Sequence, residues 1–297
     1  LGSLPPTAPF GGGFPRGFAS ASPSAAKPQR VGCPHFLLFA IPLETPMRIL
    51  DLSVPLEDSP SEPLRVTIEY QDHASTAETM ARFFSASPDD LPERMGWANE
   101  VFTACSHNGT HVDAPYHYFP TCGGEPARRI DELPLEWFFA DGVVLDFSHL
   151  PRGARIEPDD LQVELQRIQY SLRPMDIVLI RTDADLLWGQ SAYFEAGAGM
   201  SAAATHWLID RGIRVMGIDA WGWDQPFWAM RERFLATGDP SVLWEAHRVG
   251  REREYCQIEK LANLRSLPRP FGFKVSCFPV KMKAASAGWS RVVALVD

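Results

Sequence analysis

An α/β fold is predicted for residues 47–297 on three observations. Short β-branched or apolar runs recur along this stretch, helical patterns lie between some of them, and there is no internal repeat. The strand-like runs are "RILDLSV" (48–54), "LRVTIEY" (64–70), "EVFTACS" (100–106), "GVVLDFS" (142–148) and "DIVLIRT" (176–182). "IRVMGID" (213–219), "FKVSCFPV" (273–280) and "RVVALV" (291–296) follow. A helix is predicted over 157–169, where Pro158 and acidic residues occupy the first turn. Another is predicted over 201–212, from a capping Ser201 to a terminating Gly212. A third is predicted over 239–252, which opens on Asp, Pro and Ser. No linker interrupts the stretch, so one domain is expected.

Residues 1–46 differ. They are rich in Pro, Gly, Ser and Ala, a composition that buries too little surface to offset ordering entropy. Their charges are Arg16, Lys27, Arg30 and Glu44, about +2 net, against −9 for the whole chain. The apolar "FLLFAI" (36–41) is short, lacks a small-x-small cleavage signal and runs into Pro42. A disordered tail or an over-extended gene start is expected here, ahead of a targeting address.

The acidic balance argues against nucleic acid or an anionic membrane surface as partner. No apolar run approaches the roughly 20 residues of a spanning helix. Five scattered cysteines without a Cys-x-x-Cys pair argue against a disulfide framework and suit a reducing, cytoplasmic compartment.

The chemistry concentrates in "HNGTHVDAPYH" (107–117), which holds three of the eight histidines and one aspartate. Asn108, Gly109, Thr110, Val112 and Pro115 are poor helix formers, so a helix with His at i and i+4 is disfavoured. On one straight strand, His107 and His111 would lie about 13 Å apart at ~3.3 Å per residue, too far to share an ion. A bend at Asn108-Gly109 resolves this, since the pair favours a tight turn and glycine tolerates positive φ. A bent loop then gathers His107, His111 and Asp113 around one point. Two imidazoles and a carboxylate with open positions describe a catalytic metal site. The lack of thiolate ligands leaves zinc, manganese and iron open. His117, on a loop stiffened by Pro115 and Pro120, is either a further ligand or an acid/base, and the acid/base reading is favoured.

This eleven-residue motif resembles the metal-binding motif of the cyclase family of metal-dependent hydrolases, which includes bacterial kynurenine formamidases and isatin hydrolase. The resemblance extends over 47–297, including the closing "FPVKMKAASAGWSRVVALV". It implies a single domain with a mixed, barrel-like sheet core and flanking helices, the swivelling β/β/α type. It also implies that His107, His111 and Asp113 ligate metal, that His117 is the acid/base, and that a His-x11-Glu pair completes the centre. His247 and Glu259 stand at that spacing. Asp113 could then bridge two ions about 3.5–4 Å apart.

The expected cofactor is one or two divalent ions, zinc or manganese, and the expected assembly a homo-oligomer, dimer or tetramer. The expected reaction is water-driven cleavage of a C–N bond, or second a C–O bond, in a small cyclic or N-acylated compound, with N-formylkynurenine the first substrate to try. A lyase or cyclase using the same residues, and a metal-stabilised binding protein without turnover, are the alternatives. No Gly-x-Ser-x-Gly elbow supports a covalent route.

Two departures from the small formamidases matter. The loop "PLEDSPSEP" (55–63) lacks the tryptophan they carry there, and extra sequence, "DAWGWDQPFW" (219–228), precedes His247. Trp221, Trp223, Phe227 and Trp228 are candidates to line an enlarged pocket, with core or interface packing as the alternative. His73 and His149 are read as ordinary surface groups, His206 as lying on a helix face, and Cys105 as a small buried hydrophobe. Arg128-Arg129 is read as a solvated helix start rather than a carboxylate receptor.

Overall fold

The central runs of the sequence are apolar at every position, not at alternate ones, as strands are when both faces are covered. The computed structural model describes residues 47–297, and the low-complexity stretch 1–46 lies outside the described residues. The chain begins with β1 (Arg48–Asp51), β2 (Thr67–Gln71), α1 (Ala77–Phe83), β3 (Asn99–Thr103), β4 (His111–Asp113) and α2 (Pro115–Tyr118). Next come β5 (Thr121–Cys122), β6 (Glu125–Pro126), β7 (Phe139–Asp146), β8 (Arg155–Ile156), α3 (Pro158–Arg167), β9 (Ile177–Arg181), β10 (Gly199–Met200) and α4 (Ala202–Asp210). The last part holds β11 (Val215–Ile218), α5 (Phe227–Thr237), α6 (Glu245–Arg248), β12 (Cys256–Glu259), β13 (Phe271–Ser276), β14 (Ala287–Trp289) and β15 (Val293–Val296).

Nine strands form one mixed sheet, curled into a half-barrel, in the order β1-β15-β13-β7-β9-β11-β12-β4-β14. β7, β9, β11 and β12 are parallel neighbours; the flanking strands join antiparallel. Alternation along β9 explains its unbroken apolar run. Val178 and Ile180 pack on one face with Leu161, Leu165, Leu208 and Ile209 of the crossover helices α3 and α4. Ile177 and Leu179 pack on the other with Val112, Ile258 and Leu264. Each such buried aliphatic side chain contributes about 1.5–3 kcal/mol, so the centre of the sheet is a stiff platform.

All eight predicted strands form, with ends shifted by a few residues, as do the predicted helices at α3 and α4. Ser201 caps α4 by accepting the Ala204 amide at 2.9 Å. The predicted helix over 239–252 does not form as one piece. Trp244 adopts φ +59 and breaks it, leaving only the single turn of α6 flanked by 3₁₀ turns. The predicted bent loop at 107–113 also needs correction, because His111–Asp113 is a sheet strand. β2 and β3 pair outside the main sheet as a two-stranded arm, on which Tyr70, Val101 and Phe102 are exposed.

Candidate metal centre

Side chains two apart on a strand share a face, and the sheet uses this rule twice over. On β4, His111 and Asp113 point the same way. Across the antiparallel pairing, β12 sets Glu259 opposite His111 and Gln257 opposite Asp113. Four polar groups thus meet on one buried patch between two apolar strands. Glu259 Oε2 lies 3.7 Å from His111 Nε2, and Gln257 Nε2 donates to Asp113 Oδ2 at 3.3 Å.

His107 reaches this patch through the predicted turn. Asn108 accepts the Cys105 amide at 2.8 Å through its side chain and donates to the Leu64 carbonyl at 2.8 Å. Gly109 takes φ +61, a conformation open to glycine at little cost. The result places His107 Nδ1 2.8 Å from Asp113 Oδ1 and 3.2 Å from His111 Nε2. α2 begins at Pro115, and its one turn returns His117 to the same point, Nε2 3.8 Å from Asp113 Oδ2. His247 arrives from α6, 3.5 Å from Glu259 Oε1 and 4.0 Å from Asp113 Oδ2. All six residues singled out in the sequence therefore converge.

The outer nitrogens of three imidazoles are anchored. His111 Nδ1 donates to the Gly109 carbonyl at 2.9 Å, which leaves Nε2 bare. His107 Nε2 lies 3.1 Å from Ser286 Oγ, turning Nδ1 inward. His247 Nδ1 donates to Asp224 Oδ2 at 2.5 Å, and the same carboxylate accepts the Ala246 amide at 2.7 Å at the start of α6. His117 has no such anchor; its ring lies tilted against His107 at 4.1 Å between centroids and meets Trp244 edge-on at 5.3 Å.

The charges are mutually adjusted. Burial opposes ionisation of Asp113, but His117, His107 and His111 outweigh it and hold the carboxyl well below its usual range. Burial likewise works against charge on His107, yet Asp113 keeps its pKa raised. Burial dominates at His117 and lowers it to about 4, so this ring is neutral at pH 7. His247 is buried too, but its bonds to Asp224 and Glu259 push it up to about 10.

Of these residues His107, His117, His247 and Glu259 line a cavity of about 220 Å³, walled by Phe194, Trp221, Phe227, Met230 and Trp244, while His111 and Asp113 are fully buried beside it. Trp221 is on the wall, as one alternative held. Trp223 is not, and that assignment is corrected. It is fully buried in the core, and its indole donates to Thr205 Oγ1 at 3.0 Å. Cys105 also departs from expectation, since it is half-buried and lines the cavity. Arg128 binds Glu254, and Arg129 lies over Tyr116, both away from the cavity. Sequence reasoning missed Asp224, Gln257, Trp244 and Ser286. Only Gln257 left a signal, the i, i+2 spacing of "QIE" that mirrors "HVD".

A divalent cation fits this donor set. Asp113 Oδ1 is buried and makes no hydrogen bond, although two imidazole nitrogens stand within 3.2 Å of it. Bonds of about 2.0–2.2 Å to one ion would give donor–donor separations of this size. A buried carboxylate oxygen left unmet is costly, and an ion shared with His107 and His111 answers it. Two overlapping groups of ligand atoms meet at Asp113, one with His107 and His117 and the other with His111 and Glu259.

The comparisons with known proteins agree with this geometry. The family model described as "Putative cyclase" matches residues 50–225. The chain is 23% identical to kynurenine formamidase of Bacillus cereus over 143 residues, 44% of this chain and 60% of that protein. It is 24% identical to cyclase-like protein 3 of Oryza sativa subsp. japonica over 195 residues, 63% of this chain and 62% of that one. It therefore spans about three-fifths of the length of these curated relatives. Among solved structures, isatin hydrolase A of Ralstonia solanacearum superposes with a TM-score of 0.64 at 25% identity, covering 84% of this chain and 92% of that one. The match over more than half of its length makes this chain a member of the cyclase family.

Proposed function

We propose that this protein is a metal-dependent hydrolase of an amide bond, a formamide or lactam, in a small aromatic compound, with an ester or lactone bond as the second reading. The observation that carries the reading is the unmet Asp113 Oδ1 among inward-turned imidazole nitrogens, beside an aromatic cavity lined by His107, His117, His247 and Glu259. The names of the relatives, a formamidase and an isatin hydrolase, point to the same bond type.

In this reading His107, His111, Asp113, His247 and Glu259 would hold one or two divalent ions, zinc or manganese. A divalent ion supplies acidified water and a polarised carbonyl. The protein does the rest. His117, neutral and unanchored, takes a proton from the attacking water and delivers it to the leaving nitrogen. Trp221, Phe227, Phe194 and Trp244 hold a flat ring and exclude bulk water. Asp224 fixes the ring of His247 so that Nε2 faces inward.

The test is turnover of a panel of formamides, including N-formylkynurenine, lactams and lactones in ¹⁸O-labelled water, alongside metal analysis. One labelled oxygen per product supports hydrolysis; turnover without label would favour the lyase reading. A homo-oligomer and a cytoplasmic home belong to the same proposal. The apolar arm β2–β3 supports the first, since a lone two-stranded ribbon is marginal in water. The free thiols of Cys105, Cys122, Cys256 and Cys277 support the second. Val101→Glu should lower the mass seen by light scattering; an unchanged mass would remove the arm from the interface. No helix among the described residues is long and apolar enough to cross a membrane.

A further inference from the structure

Lys260 follows Glu259 directly and belongs to the lining of the same cavity, yet its side chain is buried and committed to partners within the protein. Its ammonium is 1% exposed and donates to both oxygens of Glu62 at 2.9 Å, whose side chain is 2% exposed. It also donates to the His107 carbonyl at 2.6 Å. Glu62 Oε1 in turn accepts the Gly109 amide at 2.7 Å. The pair therefore grips the metal-binding turn at both ends, by the carbonyl of residue 107 and the amide of residue 109.

The backbone around Lys260 is equally constrained. Lys260 has φ +58, the left-handed region that a lysine adopts only where its surroundings impose it. Its carbonyl accepts Thr110 Oγ1 at 2.5 Å, and its amide donates to the Ala220 carbonyl at 3.1 Å. Nζ also lies 4.7 Å from the centre of the Trp221 ring on the cavity wall. One ammonium thus touches the metal turn, the loop carrying Glu62 and the aromatic wall. With Glu62 and the His107 carbonyl already occupying its protons, it has little left to offer a substrate carboxylate.

We propose that the Glu62–Lys260 pair is a positioning device that sets His107 Nδ1 against His111 and Asp113, and so tunes the affinity of the site for its ion. The inference rests on the reading that these three residues hold a metal. A pair kept only for stability would be replaceable by apolar side chains of similar size at no loss, whereas removal of one partner strands a buried charge. That contrast separates a positioning role from a structural one.

The experiment compares Lys260→Met, the double variant Glu62→Leu/Lys260→Met, and Glu62→Gln with the wild type. Each metal-stripped protein is melted, then titrated with Mn²⁺ alone. Lys260→Met should lower both the melting temperature and the Mn²⁺ affinity. The double variant should regain most of the melting temperature while its Mn²⁺ affinity stays about 10–100-fold weaker than wild type. Glu62→Gln keeps an acceptor for Gly109 but leaves the buried Lys260 charge unpaired, and should lower the melting temperature and weaken Mn²⁺ binding. Wild-type affinity in a stable double variant would overturn the proposal. Should the double variant fail to fold, wild-type affinity in Glu62→Gln would overturn it instead. A wild-type chain that takes up no Mn²⁺ would sink the metal reading itself, a failure seen before any variant is measured.

Discussion

Among the described residues, two clusters bring metal-capable atoms within reach of one another, and they differ in one respect. The first joins His107, His111, Asp113, His117 and Glu259; the second joins Asp183, Asp185 and Asp219. In the second, protein donors already answer the carboxylates. Asp219 accepts the Thr182 amide at 2.8 Å, its hydroxyl at 2.6 Å and the Asp183 amide at 2.9 Å. Asp183 is held by Arg181 at 2.7 and 2.9 Å, and Asp185 accepts the Asn263 amide at 2.8 Å. In the first cluster, Asp113 Oδ1 is unmet, with His107 Nδ1 and His111 Nε2 facing it at 2.8 and 3.2 Å. Proximity is common to both; unmet valence belongs to one.

The largest expected effect breaks the comparison at its strongest point. Asp113→Ala and His111→Ala should each lose metal and turnover together, while Asp183→Ala keeps its metal. Elemental analysis finding full metal in Asp113→Ala would cancel the assignment. Next, His117→Ala should retain metal while turnover falls on the order of 10²–10⁴-fold. Metal loss to match His111→Ala would make His117 a ligand. Asp224→Asn should come third, weakening the metal affinity by about 10–100-fold through a loosened His247. Titration of the stripped variant with wild-type affinity would show that His247 needs no such support.

The last effect sits in the acidic cluster and is a matter of pH. Burial raises Asp219 from 3.8 to about 7, although its bonds from Thr182 oppose the shift. The folded chain therefore keeps a proton that the unfolded chain releases. Its contribution to stability is full below about pH 4 and is lost as pH rises through 7. Asparagine cannot titrate, so the stability advantage of wild type over Asp219→Asn should shrink from pH 5 to pH 8, by an amount on the order of a few kcal/mol. Denaturant curves with a constant gap across that range would contradict this.

How much of this was legible in the sequence depended on the range of each interaction. The turn at Asn108-Gly109 is local chemistry, and Gly109 adopts the positive φ the sequence called for. The strands that carry the site were harder to see. β4 and β12 are three and four residues long and hold His, Asp, Gln and Glu, so they lack an apolar signature. Their register, which puts Glu259 against His111, is a tertiary fact. Trp221 and Trp223 are alike in sequence, and only the Thr205 hydroxyl decides which one turns into the core. Asp224 and Glu62 act on partners 23 and 198 residues away, beyond any local pattern.

The most direct test of the distinction is anomalous diffraction from crystals of the wild-type chain soaked in Mn²⁺. A peak among His107 Nδ1, His111 Nε2 and Asp113 Oδ1, with none at Asp183, Asp185 and Asp219, is the predicted result. A peak at the acidic trio, or an empty map at the histidines, would contradict it.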